Sequence, residues 1–305
     1  MKVLQEKTKI FLIAILTICG LFFNSTLVMA DGRVLHEKHY SVNANETLLV
    51  KMSSADIIVS GWDKDEVSIK VEGSEKINDY FDFNFSYEDG LVKIKSEKKS
   101  DWSSWGFSKG FKLKVMVPEQ FKLDLKTSGG DIIINMIEGL KELVTSGGDI
   151  KIEDSKGDLG ALTSGGDVSV NKNIGKSVLK TSGGDIIAKN LKGNIEAITS
   201  GGDIDLLVIE GNISGKTSGG DILLNYKGEN KGVELNTSGG DISISVPSNF
   251  KADVQLKTSG GSIKNNFSTS KISEVSKSKY EGKYNNGGES LTAKTSGGSI
   301  TVDEK

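Results

Sequence analysis

The chain has 305 residues, two histidines, one cysteine, one arginine and a formal net charge of −3. Such a mildly acidic surface excludes a nucleic-acid binder, and the lone Arg33 argues against forked clamps for carboxylates or phosphates. One cysteine cannot form an internal disulfide framework, so a folded domain here must be held by other means.

The first thirty residues read as an export signal. Lys2, Lys7 and Lys9 precede the uncharged run IFLIAILTICGLFF (Ile10–Phe23), and Val28-Met29-Ala30 offers a cleavage point before Asp31. The competing reading is an uncleaved anchor, because Ile10 to Ala30 is just long enough to span a bilayer; Asn24, Ser25 and Thr26 weaken it, and cleavage is preferred. Cys19 follows Ile18 where a lipidation site wants a small residue, so lipidation is set aside. Cleavage removes three lysines, Glu6 and the only cysteine, and leaves the exported chain at −5.

Residues 31–126 form an N-terminal β region. ADIIVSGW from Ala55, DEVSIKVEG from Asp65, YFDFNFSYEDG from Tyr80, GLVKIKSE from Gly90 and FKLKVMVP from Phe111 all alternate apolar and polar residues. MSSADIIVSGW from Met52 looks like a worn copy of a phrase that dominates the next region. The opening region is therefore expected to start the same structure, not to stand as a separate domain.

Residues 127–262 are a repeat array. TSGGD opens units at Thr127, Thr145, Thr163, Thr181, Thr199 and Thr217, every 18 residues, then at Thr237; TSGGS follows at Thr258 and Thr295. A fixed period near 20 residues with alternation inside each unit points to an all-β solenoid with coils of about 18 residues. Each coil reads as strand, glycine bend (Gly139, Gly157, Gly175, Gly193, Gly211), strand and Gly-Gly corner. Gly-Gly is expected to supply backbone angles forbidden to side chains and to let corners stack at about 4.8 Å. VPEQF (Val117–Phe121) and VPSNF (Val246–Phe250) mark equivalent entries into the repeat. Residues 263–305 read as a polar insertion followed by a capping coil, with Asp303-Glu304-Lys305 suited to block further stacking.

The opening ADIIVSGWDKDEVSIKVEG, the two Val-Pro entries, the TSGGD array and the closing NNGGESLTAKTSGGSITVD resemble the DUF4097 family, the toastrack β-strand-repeat adhesins, over nearly all of the exported chain. The resemblance implies a right-handed, single-stranded β-helix on bacterial surfaces or in envelope-stress operons. It brings no catalytic residues.

Four features invite a functional reading. The aspartate column Asp131, Asp149, Asp167, Asp185, Asp203, Asp221 and Asp241 could form a calcium ladder. Calcium wants six or more oxygens, however, and Ser262 and Ser299 replace the aspartate without breaking the phrase, so carboxylates that accept hydrogen bonds from corner amides are preferred. The column before each threonine, Lys126, Val144, Leu162, Lys180, Ile198 and Lys216, faces outward as a partner surface if the strand runs straight. It turns its aliphatics inward if a bulge intervenes, and this reading is slightly favoured. Trp102, Trp105 and Phe107 in a Gly/Ser/Lys setting could grip a sugar or protein partner. His36 and His39 are read as sharing a strand face, with no third metal ligand in view.

The sequence thus reads as an exported, non-catalytic surface or envelope solenoid that acts in adhesion or as a scaffold. Its partner is a protein or an envelope glycan. No cofactor, catalytic residue or nucleic acid is expected, and the membrane only through an uncleaved N-terminal segment. An anchored accessory of envelope-stress signalling is the alternative, and a polysaccharide-active β-helix enzyme a distant third.

Overall fold

Period-two alternation drives nearly every described segment into strands with one buried face. The structure, a computed structural model, describes residues 33–99, 110–268 and 270–305. The expected signal segment 1–30 and the aromatic segment with Trp102, Trp105 and Phe107 lie outside the described residues.

The opening region contributes β1 (Arg33–Ser41), β2 (Thr47–Lys51), β3 (Ala55–Trp62), β4 (Glu66–Gly73), a helical turn α1 (Ile77–Tyr80), β5 (Phe81–Glu88), β6 (Leu91–Lys98) and β7 (Phe111–Pro118). The array follows as strand pairs that flank each corner. These are β8 (Lys122–Lys126) with β9 (Ile132–Asn135), β10 (Lys141–Val144) with β11 (Ile150–Lys156), β12 (Leu159–Leu162) with β13 (Val168–Ile174), and β14 (Ser177–Lys180) with β15 (Ile186–Lys192). Next come β16 (Ile195–Ile198), the long β17 (Ile204–Lys216), β18 (Ile222–Tyr226), β19 (Asn230–Asn236), β20 (Ile242–Val246), β21 (Ala252–Lys257) and β22 (Ile263–Asn265). The chain closes with β23 (Ser270–Val275), β24 (Lys279–Tyr284), β25 (Ser290–Lys294) and β26 (Ile300–Glu304).

Strands after a corner form one sheet and strands before a corner form a second. Both are parallel and in register through the array, with Ile132 beside Ile150, Val168, Ile186 and Ile204 in the first. In the second, Leu125 lies beside Leu143, Ala161, Leu179 and Ala197. These columns are buried and make the core between the sheets. The opening region shares this stack, since Ile57 of β3 pairs with Ile132. Among the described residues antiparallel pairs occur only at the two ends, where β1 lies beside β4 and β4 beside β7, β5 beside β6, and β23 beside β24 and β24 beside β21.

The order of coils in space differs from the order in the chain at both ends. β2 lies between β6 and β8, and β3 between β7 and β9. Likewise β25 lies between β19 and β21, and β26 between β20 and β22. The last coil is therefore not a cap. It is clamped inside the stack, and the outermost position belongs to β22 and the β23–β24 hairpin. The two Val-Pro segments are the steps at which the chain skips a coil: VPEQF leads from β7 past the β2–β3 coil, and VPSNF leads from β20 past the β25–β26 coil. Each ends in a fully buried phenylalanine, Phe121 and Phe250.

The glycine roles also differ from expectation. Left-handed backbone occurs at the bend glycines, from φ 95° at Gly157 to 150° at Gly139, and at the preceding Met136, Asp154, Lys172 and Asn190. The Gly-Gly corners have no positive φ. They are small because coils meet there: a Cβ on Gly148 would sit 2.1 Å from the Gly130 carbonyl oxygen. On Gly147 it would meet nothing closer than 3.8 Å.

Candidate functional site

The corners from Thr145 to Thr237, and that at Thr295, are each built from three hydrogen bonds to the coil below. The threonine hydroxyl donates to the second-glycine carbonyl of that coil, as Thr145 to Gly130 and Thr163 to Gly148, both at 2.9 Å. The first-glycine amide donates to the serine carbonyl below, as Gly147 to Ser128 at 3.0 Å. The aspartate amide donates to the carboxylate below, as Asp149 to Asp131 Oδ1 and Asp167 to Asp149 Oδ1, both at 2.8 Å. The threonines are buried, so this column is internal mortar and not a hydroxyl surface.

The aspartate ladder begins one rung early, at Asp56, which accepts from the Asp131 amide at 3.2 Å. It continues through Asp185, Asp203, Asp221 and Asp241 at 2.7–2.8 Å. It ends on serines: Ser299 donates to Asp241 Oδ1 at 2.7 Å, and Ser262 donates to Ser299 Oγ at 3.2 Å. The two serine rungs are neighbours in space at the same end. One carboxylate oxygen of each aspartate is thus committed to an amide, and the carboxylates stand in single file. Among the described residues no group of three His, Cys, Asp or Glu side chains comes together as a metal site.

The column before the threonine faces outward. Lys126, Val144, Leu162, Lys180, Ile198 and Lys216 pair in unbroken register, without the bulge that would have turned them inward. Parity decides this, because Leu125, Leu143, Ala161 and Leu179 beside them are buried and Leu162 keeps 46% of its surface exposed. The lysines are tied to acids: Lys126 to Asp124 at 3.1 Å, Lys180 to Glu196 at 2.8 Å and Lys216 to Glu234 at 3.7 Å. Val144, Leu162, Val178 and Ile198 lie between these pairs on the outer face. A shallow groove of ≈ 340 Å³ runs beside them, lined by Lys176, Asn194, Glu196, Ile198, Asn212 and Lys216.

The histidines do not share a face. They are three positions apart on β1 and so project to opposite sides. His36 tilts against Phe83 and Phe85 at 4.9 and 5.8 Å between ring centres and bonds Asn78 at 2.8 Å. His39 points to solvent, where its 3.0 Å bond to the Glu66 carboxylate raises its pKa.

Lys141 was not singled out from the sequence. It occupies an inward column, between Leu123 and Leu159, and is fully buried. Its Nζ donates to the Gly139 and Lys156 carbonyls, both at 2.7 Å. Burial pushes its pKa down to about 8, against the opposing pull of the Asp158 and Glu138 charges. Aligning the units at 18 residues, which places Lys141 over Leu159, would have exposed it. Nearby, Ser155, Asn173 and Ser177 form a buried chain that satisfies itself, at 2.8 and 3.0 Å.

The arrangement defines a β-solenoid whose coils are joined by an in-register corner ladder. The chain belongs to the Toastrack DUF4097 family, whose description matches residues 45–303. No curated protein matches it. Among solved structures it is similar to a "putative adhesin" from Parabacteroides merdae, with 15% identity, 88% of this chain and 95% of the other covered, and TM-score 0.46. It is similar also to a "putative adhesin" from Bacteroides fragilis, with 12% identity, 88% and 96% covered, and TM-score 0.41. A "putative lipid binding protein" from Parabacteroides distasonis matches at 15% identity, 88% and 96% covered, and TM-score 0.42. No helix of the described residues is long and apolar enough to cross a membrane.

Proposed function

We propose that this protein is an exported, non-catalytic surface solenoid that works in adhesion or as a scaffold, with the outer face of the second sheet as its contact surface. The observation that carries the reading is the straight outward column from Lys126 to Lys216, with Leu162 exposed and Val144 and Ile198 half-buried between lysine–acid pairs. A rigid sheet that presents aliphatics in fixed rows, rimmed by paired charges, suits a protein or glycan partner. The Lys–acid pairs hold the rim charges in place and limit nonspecific attraction.

The test is sedimentation of the labelled exported chain with envelope fragments of the producing cell. Saturable binding is expected, and a chain with Leu162→Glu and Ile198→Glu should bind at least about tenfold more weakly at an unchanged unfolding midpoint. Equal binding by the two chains, or none by the unaltered one, would refute the contact surface. Mass mapping of the N-terminus tests export: a start at Asp31 is expected, whereas Met1 in the membrane fraction would favour the anchored alternative.

A further inference from the structure

The closing coil, β25–β26, follows every other described coil in the chain and yet lies inside the stack. In the first sheet Ile300 pairs with Ile242 on one side and Ile263 on the other. In the second, Leu291 pairs with Val233 and Val254. Its corner repeats the common ladder: Thr295 donates to the Gly240 carbonyl at 2.8 Å, and Thr258 donates to the Gly298 carbonyl at 2.6 Å. Every one of these contacts joins residues distant in sequence. They are main-chain ladders and threonine–glycine bonds common to all coils, so a closing coil from any copy of the chain satisfies them equally.

The tether that selects the chain's own coil is short. Five residues, 285–289, run from β24 to β25 and must pass β21, a distance of about 10 Å. Asn285, Asn286 and Gly287 are consecutive left-handed residues, at φ 45°, 72° and 86°. Two of them are asparagines, which share with glycine the readiest access to this region. Asn285 is held by bonds to the Ser248 and Phe250 carbonyls at 2.7 and 3.1 Å. A short hinge beside a self-complementary segment is a setting in which segments exchange between copies.

We propose that the gap between the Thr237 and Thr258 coils is a docking slot for a strand–corner–strand segment, and that a second copy's closing coil enters it in the same register. The product is an exchanged dimer in which each residue 289–305 segment stacks in the other chain. The ladder bonds are unchanged in number, and concentration sets the dimer fraction.

Two full-length chains lacking Cys19 (Cys19→Ser) test this, one with Ser243→Cys and the other with Thr301→Cys, co-expressed and oxidised. Positions 243 and 301 are register partners on the outer face of the first sheet. A second pair, Glu234→Cys and Thr292→Cys, probes the second sheet. The expected result is a covalent species of doubled mass whose peptide map joins 243 to 301, or 234 to 292, between chains. Absence of those interchain links overturns the proposal. So do interchain links confined to like positions, and so does a third chain, carrying both Ser243→Cys and Thr301→Cys, that oxidises only within itself.

Discussion

Ser299 sits directly on Asp241, its amide 2.7 Å from the carboxylate, although 58 residues separate the two in the chain. The ladder treats them as consecutive rungs, and it works with serine or aspartate. What each rung needs is an acceptor for the amide above. Asp149→Ala should therefore cost about 1 kcal/mol by stranding the Asp167 amide, and Asp149→Ser distinctly less. Urea midpoints of the two variants measure this. Because one oxygen of each carboxylate is committed, calcium should leave the melting temperature where a chelator leaves it; a gain of several degrees would show that the other oxygens gather the ion.

The two corner glycines should differ sharply on substitution. Gly148→Ala drives a methyl group into the Gly130 carbonyl and should cost on the order of 3 kcal/mol. Gly147→Ala meets only ordinary contacts and should cost about 1 kcal/mol or less. Equal costs would mean that the corner is chosen for backbone angles and not for the approach of coils. The first rung supports the second view. Ala55 stands at the position equivalent to Gly130 there, so a side chain is tolerated at the first rung.

Lys141 makes stability depend on pH in a known direction. Its pKa falls from 10.5 unfolded to about 8 folded, so between those values the unfolded chain holds more protons and stability rises with pH. The full effect is on the order of 3 kcal/mol. Lys141→Leu, which matches Leu123 and Leu159 beside it, should stabilise the protein at pH 7 and lose that advantage by pH 10.5. Titrating the variant against the parent isolates this residue from Tyr226 and Tyr284, whose hydroxyls burial also shifts, upward. A pH-independent difference between the two proteins would contradict the assignment.

Phe250 ends the crossover that opens the slot for the closing coil, and its ring meets Tyr226 edge-on at 5.6 Å. Phe250→Ala should cost about 3–5 kcal/mol and release the closing coil first. Hydrogen exchange should show residues 289–305 losing protection before the middle of the array. Uniform loss along the chain would show that the crossover does not hold that coil.

Much of this molecule was written locally. Eighteen-residue spacing, period-two alternation, the glycine bends and the matching VPEQF and VPSNF entries specify coils, a buried face and stacked columns, because each rests on one residue's own backbone and burial preference. The order of the coils, the outward turn of Val144, Leu162 and Ile198, the opposed faces of His36 and His39, and the burial of Lys141 came only with the folded structure. The physical reason is that the hydrogen-bond ladder is blind to sequence. Any TSGG coil fits on any other, so which coil lies on which is decided by the reach of the crossovers and by how whole strands pack.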